Sequence, residues 1–461
     1  MKPVAIIGGG FAGLAAGVEL AASGVPVTVL EAKPRLGGRA YSFRDEESGE
    51  VVDNGQHAMM GCYVETLAFL RRIGAGDKVM RQANLRVEMV DARRGPGVIA
   101  CAPLPSPLHL LGGVLGYELL SRAERLRALL GGMRLMAMRK RRDPRLAETT
   151  VERVLIDLGQ SANARASFWY PVAIATLNES PDRAAAAPFA EVLARAFFGS
   201  RADSQFVLPR VGLSDLYTED ARRFIEDRGG RVELKTQVAE LPIEDGRVAA
   251  VRLRDGRRIE AGAVISTVPP QALAQFLPDS VRAHARLNEL GEFDLSPIIS
   301  VHLWFDRPVL ASDFVGFVGT TTQFVFNRTK LTAQGNGNGR QFVSAVISAG
   351  REIVGQDTSR IAETVVADIK ALLPAARPAR LLRSVVVKEK HATISTTPEA
   401  EQIRPSAETP IRNFFLAGDW IQTGLPATIE SAVLSGHRAA ALARGSGSMP
   451  AKPVSATIRI S

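Results

Sequence analysis

A glycine-rich turn near the start of the chain constrains the fold more than any other feature. Residues 4–7 (VAII) form a short apolar run, which is typical of a strand buried on both faces of a parallel sheet. The sequence GGGFAG follows and satisfies the G-x-G-x-x-G pattern through Gly8, Gly10 and Gly13. These glycines permit a tight turn, a close backbone approach to a pyrophosphate, and close packing of the next helix. We expect that helix to begin at Ala12 and to direct its N-terminal N–H groups at phosphates.

An acidic residue supports a dinucleotide site. Residues 27–30 are predicted to form a second strand, and Glu31 stands at its end, where a carboxylate can accept hydrogen bonds from ribose hydroxyls. A glycine-rich turn alone is weak evidence, because such turns occur in other strand–helix–strand units. The strand, the helix and Glu31 together favour dinucleotide binding.

A second glycine pair follows Glu31. Residues 35–42 read RLGGRAYS, so Arg35 and Arg39 flank the backbone at Gly38. Bare backbone and cationic donors are what a second close approach to a pyrophosphate needs. This pairing resembles the FAD-binding signature of the amine oxidase and phytoene desaturase superfamily of flavoproteins. The resemblance implies FAD as the cofactor, rather than a nicotinamide nucleotide.

The segment DNGQH, residues 53–57, narrows the resemblance. It is similar to the squalene-associated FAD-dependent desaturases, a group understood as hydroxysqualene dehydroxylases, in which this element passes beside the flavin ring. Gly55 and Gln56 are therefore expected at the cofactor. His57 is a candidate for proton transfer, since its free pKa suits that task, or else a histidine held structurally behind the ring. Asp53 is the second candidate acid.

The same resemblance implies cofactor contacts in two later parts of the chain. One is a glycine-led strand near residues 231–238, and the other is the motif LAGDW…TGLPATIE near the C-terminus. The residues implied are Val238, Gly418, Asp419, Ala427, Thr428 and Ile429. The helix that follows Pro426 is expected to direct its N-terminal dipole at the flavin. Neither Cys62 nor Cys101 lies near that helix, so we expect FAD to be bound non-covalently.

Aromatic residues mark a possible substrate region. The W-x-P…LN block resembles the substrate domain of the squalene-associated group and contains Phe168, Trp169 and Asn178. Aromatic faces there could line a hydrocarbon tunnel and stabilise a nearby carbocation, or could equally be core packing. Trp420, which follows the cofactor motif, is a further substrate candidate.

The segment at residues 107–142 combines apolar residues with a basic end. Leucines and methionines recur at helical spacing, and the segment ends in RKRR. Helices with an apolar face and a basic end can lie in the interface of an anionic membrane. The alternative is an ordinary domain helix with a solvated charged end.

Length and composition bear on the number of domains, the partners and the location of the protein. A chain of 461 residues implies roughly two domains. The net charge is +9, but no nucleic-acid motif accompanies it, so we expect no nucleic-acid partner. The two cysteines have no metal-ligand spacing, and we expect no metal. The chain enters its first strand at once and has no run of about 18 apolar residues. We therefore expect a cytoplasmic protein, or one bound peripherally to the inner face of the cell membrane.

The implied fold is α/β, with a Rossmann-like FAD-binding domain interleaved with an α+β substrate domain, as in two-domain amine oxidase-like flavoproteins. Residues 1–85, 205–275 and 400–445 are assigned to the FAD-binding domain. Residues 86–204 and 276–399 are assigned to the substrate domain, and 446–461 to a disordered tail.

The function implied by the resemblance is FAD-dependent hydroxysqualene dehydroxylation, which yields squalene for hopanoid biosynthesis. The substrate is a small-molecule lipid, and the sequence does not identify the electron donor. A carotenoid or phytoene-type desaturase is one alternative, and a non-catalytic isoprenoid-binding escort protein is another. Amine oxidation is disfavoured, because many amine oxidases carry a lysine on the strand predicted at residues 298–305 and this chain has none there.

Overall fold

The computed structural model describes residues 2–282, 287–332 and 339–445. The predicted tail at 446–461 lies outside the described residues. Among the residues described, no helix is long and apolar enough to cross a bilayer.

A five-stranded parallel sheet carries the glycine-rich turn. In spatial order its strands are Arg231–Glu233, Val27–Leu30, Val4–Ile7, Ala263–Ser266 and Phe414–Leu416. The central strands are buried on both faces, as their apolar sequences predict. These strands come from the three segments assigned to the FAD-binding domain, whose boundaries stay a prediction.

Three helices cover one face of this sheet, at Phe11–Ala22, Leu213–Glu226 and Ile429–Gly445. The first and last cross in close contact, because a Cβ at Gly436 would lie only 2.3 Å from the carbonyl oxygen of Ala12. Close crossing at a glycine fixes the C-terminal helix against the helix that follows the glycine-rich turn.

A second, seven-stranded sheet is mostly antiparallel. In spatial order its strands are Leu381–Ile394, Leu295–Phe305, Gln341–Ser348, Phe324–Asn327, Phe314–Val318, Arg86–Asp91 and Gly95–Ala100. The amphipathic helix Thr358–Leu372 packs its apolar residues against this sheet. Aromatic side chains of other strands line a cavity, described below.

A helical layer lies between residues 109 and 197. Its segments are His109–Leu115, Arg122–Lys140, Arg145–Glu148, Val151–Asp157, Ala162–Ala164, a π-helical turn at Arg165–Trp169, Tyr170–Leu177 and Ala186–Phe197. Ser121 starts the longest helix with a capping box to Glu124, and Asn178 ends another in the left-handed conformation.

Short elements complete the fold. The remaining strands are Ser42–Arg44, Val51–Asp53, Met59–Met60, Val79–Arg81, Phe206–Pro209, Val238–Glu240, Ile243–Glu244, Arg247–Val248, Val251–Leu253 and Arg258–Ile259. The remaining helices and turns are Val64–Arg72, Gly76–Lys78, Arg201–Ser204, Pro270–Leu273, Asp279–Arg282, Asn288–Gly291, Arg328–Thr332, Pro374–Ala376 and Pro398–Ile403.

One strand prediction is wrong. Residues 231–238 were expected to form a single strand, but the structure divides them between Arg231–Glu233 and Val238–Glu240, which belong to different sheets. The break contains Lys235 at a φ of 55°, a left-handed conformation that no strand accommodates. The break allows the second strand to leave the parallel sheet and turn toward the cavity, which Val238 lines.

Candidate active site

One continuous cavity of about 700 Å³ joins the two sheets. It begins at the glycine-rich turn, at the carboxyl end of the parallel sheet, where ligands of such sheets bind. From there it extends under the helical layer into a chamber lined by apolar side chains. We call these two parts the cleft and the chamber.

The glycine-rich turn is built as its pattern predicts. Gly8 has a φ of +108°, and a Cβ at Gly13 would lie 2.0 Å from the Gly8 carbonyl oxygen, so both positions require glycine. Gly10 is different. A Cβ there would meet only the Gly38 Cα, at 3.7 Å, so this glycine leaves room in the cleft between the two glycine loops. Ala12, in the first turn of the helix, also lines the cleft.

The Glu31 carboxylate is fixed at the edge of the cleft. One oxygen accepts a hydrogen bond from the Gly9 N–H at 2.7 Å, and the other accepts one from the Lys33 N–H at 2.8 Å. The side chain is buried and lines the cleft. Each carboxylate oxygen has a further lone pair, which can accept a ribose hydroxyl.

Arg39 and Asp419 form an ion pair within the cleft, with Nη2 and Oδ1 2.5 Å apart. Arg39 is held in addition by the Ala392 carbonyl, at 2.9 Å. Arg35, the other arginine predicted at the cofactor, lies elsewhere. Its guanidinium stacks 3.3 Å above the Tyr41 ring and is not among the cavity-lining groups. The structure therefore gives Arg39 the direct position and Arg35 a place in packing the loop.

The N-terminus of the C-terminal helix faces the cleft. Ala427, Thr428 and Ile429 line it, as do Gly418 and Asp419 on the preceding loop. The first N–H groups of a helix of this length carry partial positive charge, which suits an electron-rich ring or a phosphate.

Arg404 holds the preceding loop in place, although sequence reasoning did not identify it. Its buried guanidinium donates to the carbonyl oxygens of Asp419 at 2.8 Å, Ile421 at 2.5 Å and Leu425 at 2.8 Å. It also pairs with the Glu401 carboxylate at 2.8 Å. One side chain thus determines the path of the loop that carries Asp419.

The loop at residues 54–57 separates the cleft from the seven-stranded sheet. Asn54 anchors it by accepting from the Tyr41 N–H and donating to the Arg39 carbonyl. Gly55, Gln56 and His57 line the cavity. We call this segment the flavin-facing loop, because the cofactor motif of the sequence contains it.

Asp53 lies behind this loop and does not line the cavity. Its Oδ1 accepts from the Ser42 hydroxyl at 2.7 Å and from the Leu213 N–H at 2.9 Å, and its Oδ2 lies 2.9 Å from Nη2 of Arg328. With its carboxylate occupied in this way, Asp53 is placed to hold the loop rather than to reach a substrate.

His57 lies deep in the protein, and its remaining exposure is to the cavity it lines. Burial lowers the pKa of its imidazole, and the nearby charge of Asp53 opposes that effect only in part. The neutral imidazole therefore prevails at neutral pH. Its imidazolium form is a stronger acid than a free histidine would be, so it can release a proton into the cavity.

Phe168 and Trp169 both line the chamber, at the π-helical turn. Trp169 Nε1 donates to Gln160 at 2.9 Å, so its polar edge is satisfied and its rings remain for packing. Further aromatic residues of the chamber wall are Tyr117, Phe197, Phe206, Phe314, Phe324 and Phe326.

The other two predicted substrate residues have structural contacts. The Asn178 amide donates to the Ser296 carbonyl and to the Thr393 hydroxyl and accepts from the Ala349 N–H, which leaves little capacity for a ligand even though the residue borders the chamber. Trp420 is 1% exposed and is not among the lining groups; its indole donates to the Val268 carbonyl. The structure therefore contradicts a substrate contact for Trp420, because core packing encloses the ring.

The cleft fits FAD. Gly10 leaves open backbone for a pyrophosphate, Glu31 has lone pairs for a ribose, and the helix N-terminus at Ile429 faces the same space. Within the described residues, no group of three histidine, cysteine or acidic side chains could hold a metal ion.

Comparisons with known proteins agree with this geometry. The family model for flavin-containing amine oxidoreductases matches residues 11–443. The hydroxysqualene dehydroxylase of Sinorhizobium fredii is 28% identical over 96% of this chain and 98% of its own length. The 15-cis-phytoene desaturase of Synechococcus elongatus is 25% identical over 94% of each chain. Cyclohexylamine oxidase from Brevibacterium oxydans shares the fold, with a TM-score of 0.67 at 16% identity over 96% of this chain and 99% of that chain.

Fold, cleft and relatives define an FAD-dependent oxidoreductase with the two-domain α/β architecture. The chain belongs to the flavin-containing amine oxidoreductase family. Because the family and the relatives are enzymes, the alternative of a non-catalytic escort protein is not supported.

Proposed function

We propose that the protein is a hydroxysqualene dehydroxylase, which converts hydroxysqualene to squalene for hopanoid biosynthesis. The observation that carries the proposal is the chamber, an apolar and aromatic space that opens directly onto the flavin-facing loop. Such a space suits a long isoprenoid chain with one polar group. Support also comes from three curated relatives of that name at 27–28% identity over nearly the whole chain.

The proposed reaction breaks an allylic C–O bond and forms a C–H bond at the same carbon. Hydroxysqualene takes up one hydride and one proton, and squalene and water are the products. Bound FAD, when reduced, supplies the hydride. The protein must then hold the allylic carbon at the flavin, exclude bulk water from it and deliver the proton to the departing hydroxyl.

His57 is the residue we propose for proton delivery. His57 borders the cavity between cleft and chamber. Burial lowers its pKa, so the protonated form is the minor one at neutral pH but is a stronger acid than a free imidazolium. The π-faces of Phe168 and Trp169 would lie beside the positive charge that develops on the substrate. Asp53 would not transfer a proton itself. Its carboxylate accepts from Ser42 and Leu213, so it would act only by holding the flavin-facing loop in place.

An anaerobic half-reaction tests the proposal. The bound FAD is photoreduced, hydroxysqualene is added, and flavin absorbance is followed while squalene is assayed. We expect reoxidation with formation of one squalene per flavin. His57→Gln should still bind FAD but reoxidise about 10²-fold more slowly, within the usual range for loss of a general acid. No reoxidation in the wild-type protein, with FAD fully bound, would overturn the dehydroxylase assignment.

A carotenoid or phytoene-type desaturase is the second candidate. The 25% identity to a phytoene desaturase over nearly the full length favours it, and the apolar chamber also suits the isoprenoid chain of such a substrate. That reaction runs in the opposite redox direction, since hydride leaves a saturated C–C unit for oxidised FAD. Reduction of oxidised FAD by phytoene, with no response to hydroxysqualene, would favour this alternative.

We further propose that the protein binds peripherally to an anionic membrane through the helices at residues 109–140. Seven large apolar side chains in these helices and in the segment just before them are exposed, at 39–56% of their surface: Leu104, Leu108, Leu111, Leu115, Leu126, Leu130 and Met133. Exposed basic residues, among them Arg127 and Arg134, lie beside them on the longer helix. The inner faces of the same helices line the chamber, so a lipid could pass from the membrane directly beneath them.

Vesicle co-sedimentation tests this contact. We expect the holoenzyme to bind phosphatidylglycerol vesicles more tightly than phosphatidylcholine vesicles, and the Leu126→Ser, Met133→Ser double variant to lose most of that binding. Ile156→Ser is the matched control, because Ile156 is 42% exposed but lies outside this region. Equal binding by the double variant and the control would contradict the proposed surface.

A further inference from the structure

A buried arginine lies directly behind the flavin-facing loop. Arg328 is 1% exposed and begins the short helix Arg328–Thr332, immediately after the strand Phe324–Asn327 of the seven-stranded sheet. Its backbone is well fixed, because Asn327 accepts from the Lys330 N–H and the Thr332 hydroxyl donates to the Arg328 carbonyl. The position of the Arg328 Cα, from which the guanidinium extends, is therefore fixed.

The guanidinium makes two different contacts with the loop. Nη1 donates to Oε1 of Gln56 at 3.0 Å, and Nη2 lies 2.9 Å from Oδ2 of Asp53 in an ion pair that is fully buried. Asp53 precedes the loop, whereas Gln56 is within it and lines the cavity. Arg328 thus grips the loop on both sides of Gly55.

Two polar residues of the seven-stranded sheet near Arg328 add no positive charge. His302, on the neighbouring strand Leu295–Phe305, is 1% exposed, and its Nδ1 is 2.8 Å from the Ser344 hydroxyl. Burial, together with the charge of Arg328, lowers the pKa of His302 to about 3, so this imidazole is neutral. Ser300 is uncharged and equally buried. Of these three residues, Arg328 is the one that carries a positive charge beside Asp53.

We propose that Arg328 is a positioning residue that fixes the flavin-facing loop through its paired contacts with Asp53 and Gln56. A guanidinium suits this role because one nitrogen of its planar group can donate to Gln56 while the delocalised charge lies beside Asp53, whereas a lysine presents a compact point charge. Through Gln56 the contact reaches the cleft wall that binds FAD, and through the loop it fixes the place of His57. The inference holds for FAD binding whichever isoprenoid is the substrate.

Three variants test this role: Arg328→Lys, Gln56→Ala and the two combined. We expect each single variant to weaken FAD binding about tenfold, in line with the loss of one buried contact, and to change the visible circular dichroism of the bound flavin. Because both remove the same link, the combination should weaken binding no further than either alone. Titration of the apoprotein with FAD measures all three without any substrate.

Two further variants separate positioning from folding. Asp53→Asn with Arg328→Gln removes both buried charges together, so the melting temperature should return toward that of the wild type while FAD affinity and the flavin dichroism stay altered. Arg383→Lys is the matched control, since Arg383 pairs with buried Asp45 on the same sheet and does not touch the loop. Its FAD affinity should be that of the wild type.

Either of two results would overturn the proposal. Arg328→Lys could bind FAD with wild-type affinity and dichroism, or the neutral pair could restore both flavin properties together with stability. In the second case Arg328 would serve only as the charge partner of Asp53. Neither result depends on turnover, so failure here is distinguishable from failure of the proposed reaction.

Discussion

Arg404 should determine whether the cleft can retain FAD. Replacement by methionine keeps most of the side chain's length but removes every donor. The carbonyl oxygens of Asp419, Ile421 and Leu425 would then be left without the partner they have at 2.5–2.8 Å. Each unpaired buried acceptor costs roughly 1–3 kcal/mol, so three of them at the low end of that range amount to about 3 kcal/mol.

The loop can escape this cost by opening toward water, and opening would move Asp419 away from Arg39 and the cleft. If the full cost of about 3 kcal/mol falls on the bound state, FAD should bind about 100-fold more weakly, since 1.4 kcal/mol corresponds to a factor of ten. Flavin fluorescence, which rises on release, gives both the dissociation constant and the release temperature.

Arg412→Met is the control, because Arg412 is exposed and its guanidinium donates to the Asp245 carbonyl, away from the loop that carries Asp419. Arg404→Lys should recover part of the affinity, as it keeps the charge beside Glu401 but can satisfy fewer carbonyls. Wild-type FAD affinity and release temperature in Arg404→Met would refute the reasoning, since the loop would then hold its path without the guanidinium.

Three further predictions follow from the geometry. Gly10→Ala should fold normally by far-ultraviolet circular dichroism yet bind FAD at least about tenfold more weakly, whereas Gly13→Ala should fail to fold, because its Cβ would lie 2.0 Å from a carbonyl oxygen. The pKa of His302 is lowered to about 3 by burial, so below pH 6.5 the unfolded chain takes up a proton that the folded chain excludes. The free energy of unfolding should therefore fall by up to about 1.4 kcal/mol per pH unit between pH 6.5 and 3, and urea titrations of His302→Gln should give a shallower slope. Phe168→Ala should leave FAD affinity unchanged but lower kcat/KM for an isoprenoid substrate about tenfold, and an unchanged kcat/KM would exclude Phe168 from the substrate path.

The cofactor side of the site was readable from the sequence because its residues act through local backbone. Gly8 and Gly13 are required by a turn spanning six residues, Gly10 leaves the cleft open between them, and Glu31 follows one strand later. Such short-range requirements leave a pattern in the chain. Four strands of the five-stranded sheet were foreseeable for the same reason, since they are short apolar runs that begin or end near a glycine or proline; Arg231–Glu233 is the exception.

Arg328 and Arg404 left no such pattern. Arg328 acts on a loop that is distant in sequence, since Gln56 is 272 positions away. Arg404 reaches Asp419, 15 positions further on, because the chain turns back after the strand Phe414–Leu416. An arginine's sequence context does not reveal whether it is buried. The same limitation affected Trp420, whose place after a cofactor motif suggested the cavity, although its ring lies in the core against Phe293.

The strand order of the parallel sheet has a consequence for the biosynthesis of the enzyme. The strand Ala263–Ser266 lies between Val4–Ile7 and Phe414–Leu416, so its outer edge stays unpaired until the ribosome has made Phe414–Leu416, about 150 residues later. Asp419 and the helix from Ile429 arrive later still, and a nascent chain cannot complete the flavin cleft before them. FAD can therefore act as a late folding ligand, which draws the final strand and helix into place by mass action. Cells starved of riboflavin should accumulate this protein as a protease-sensitive species, and added flavin should rescue its abundance after translation.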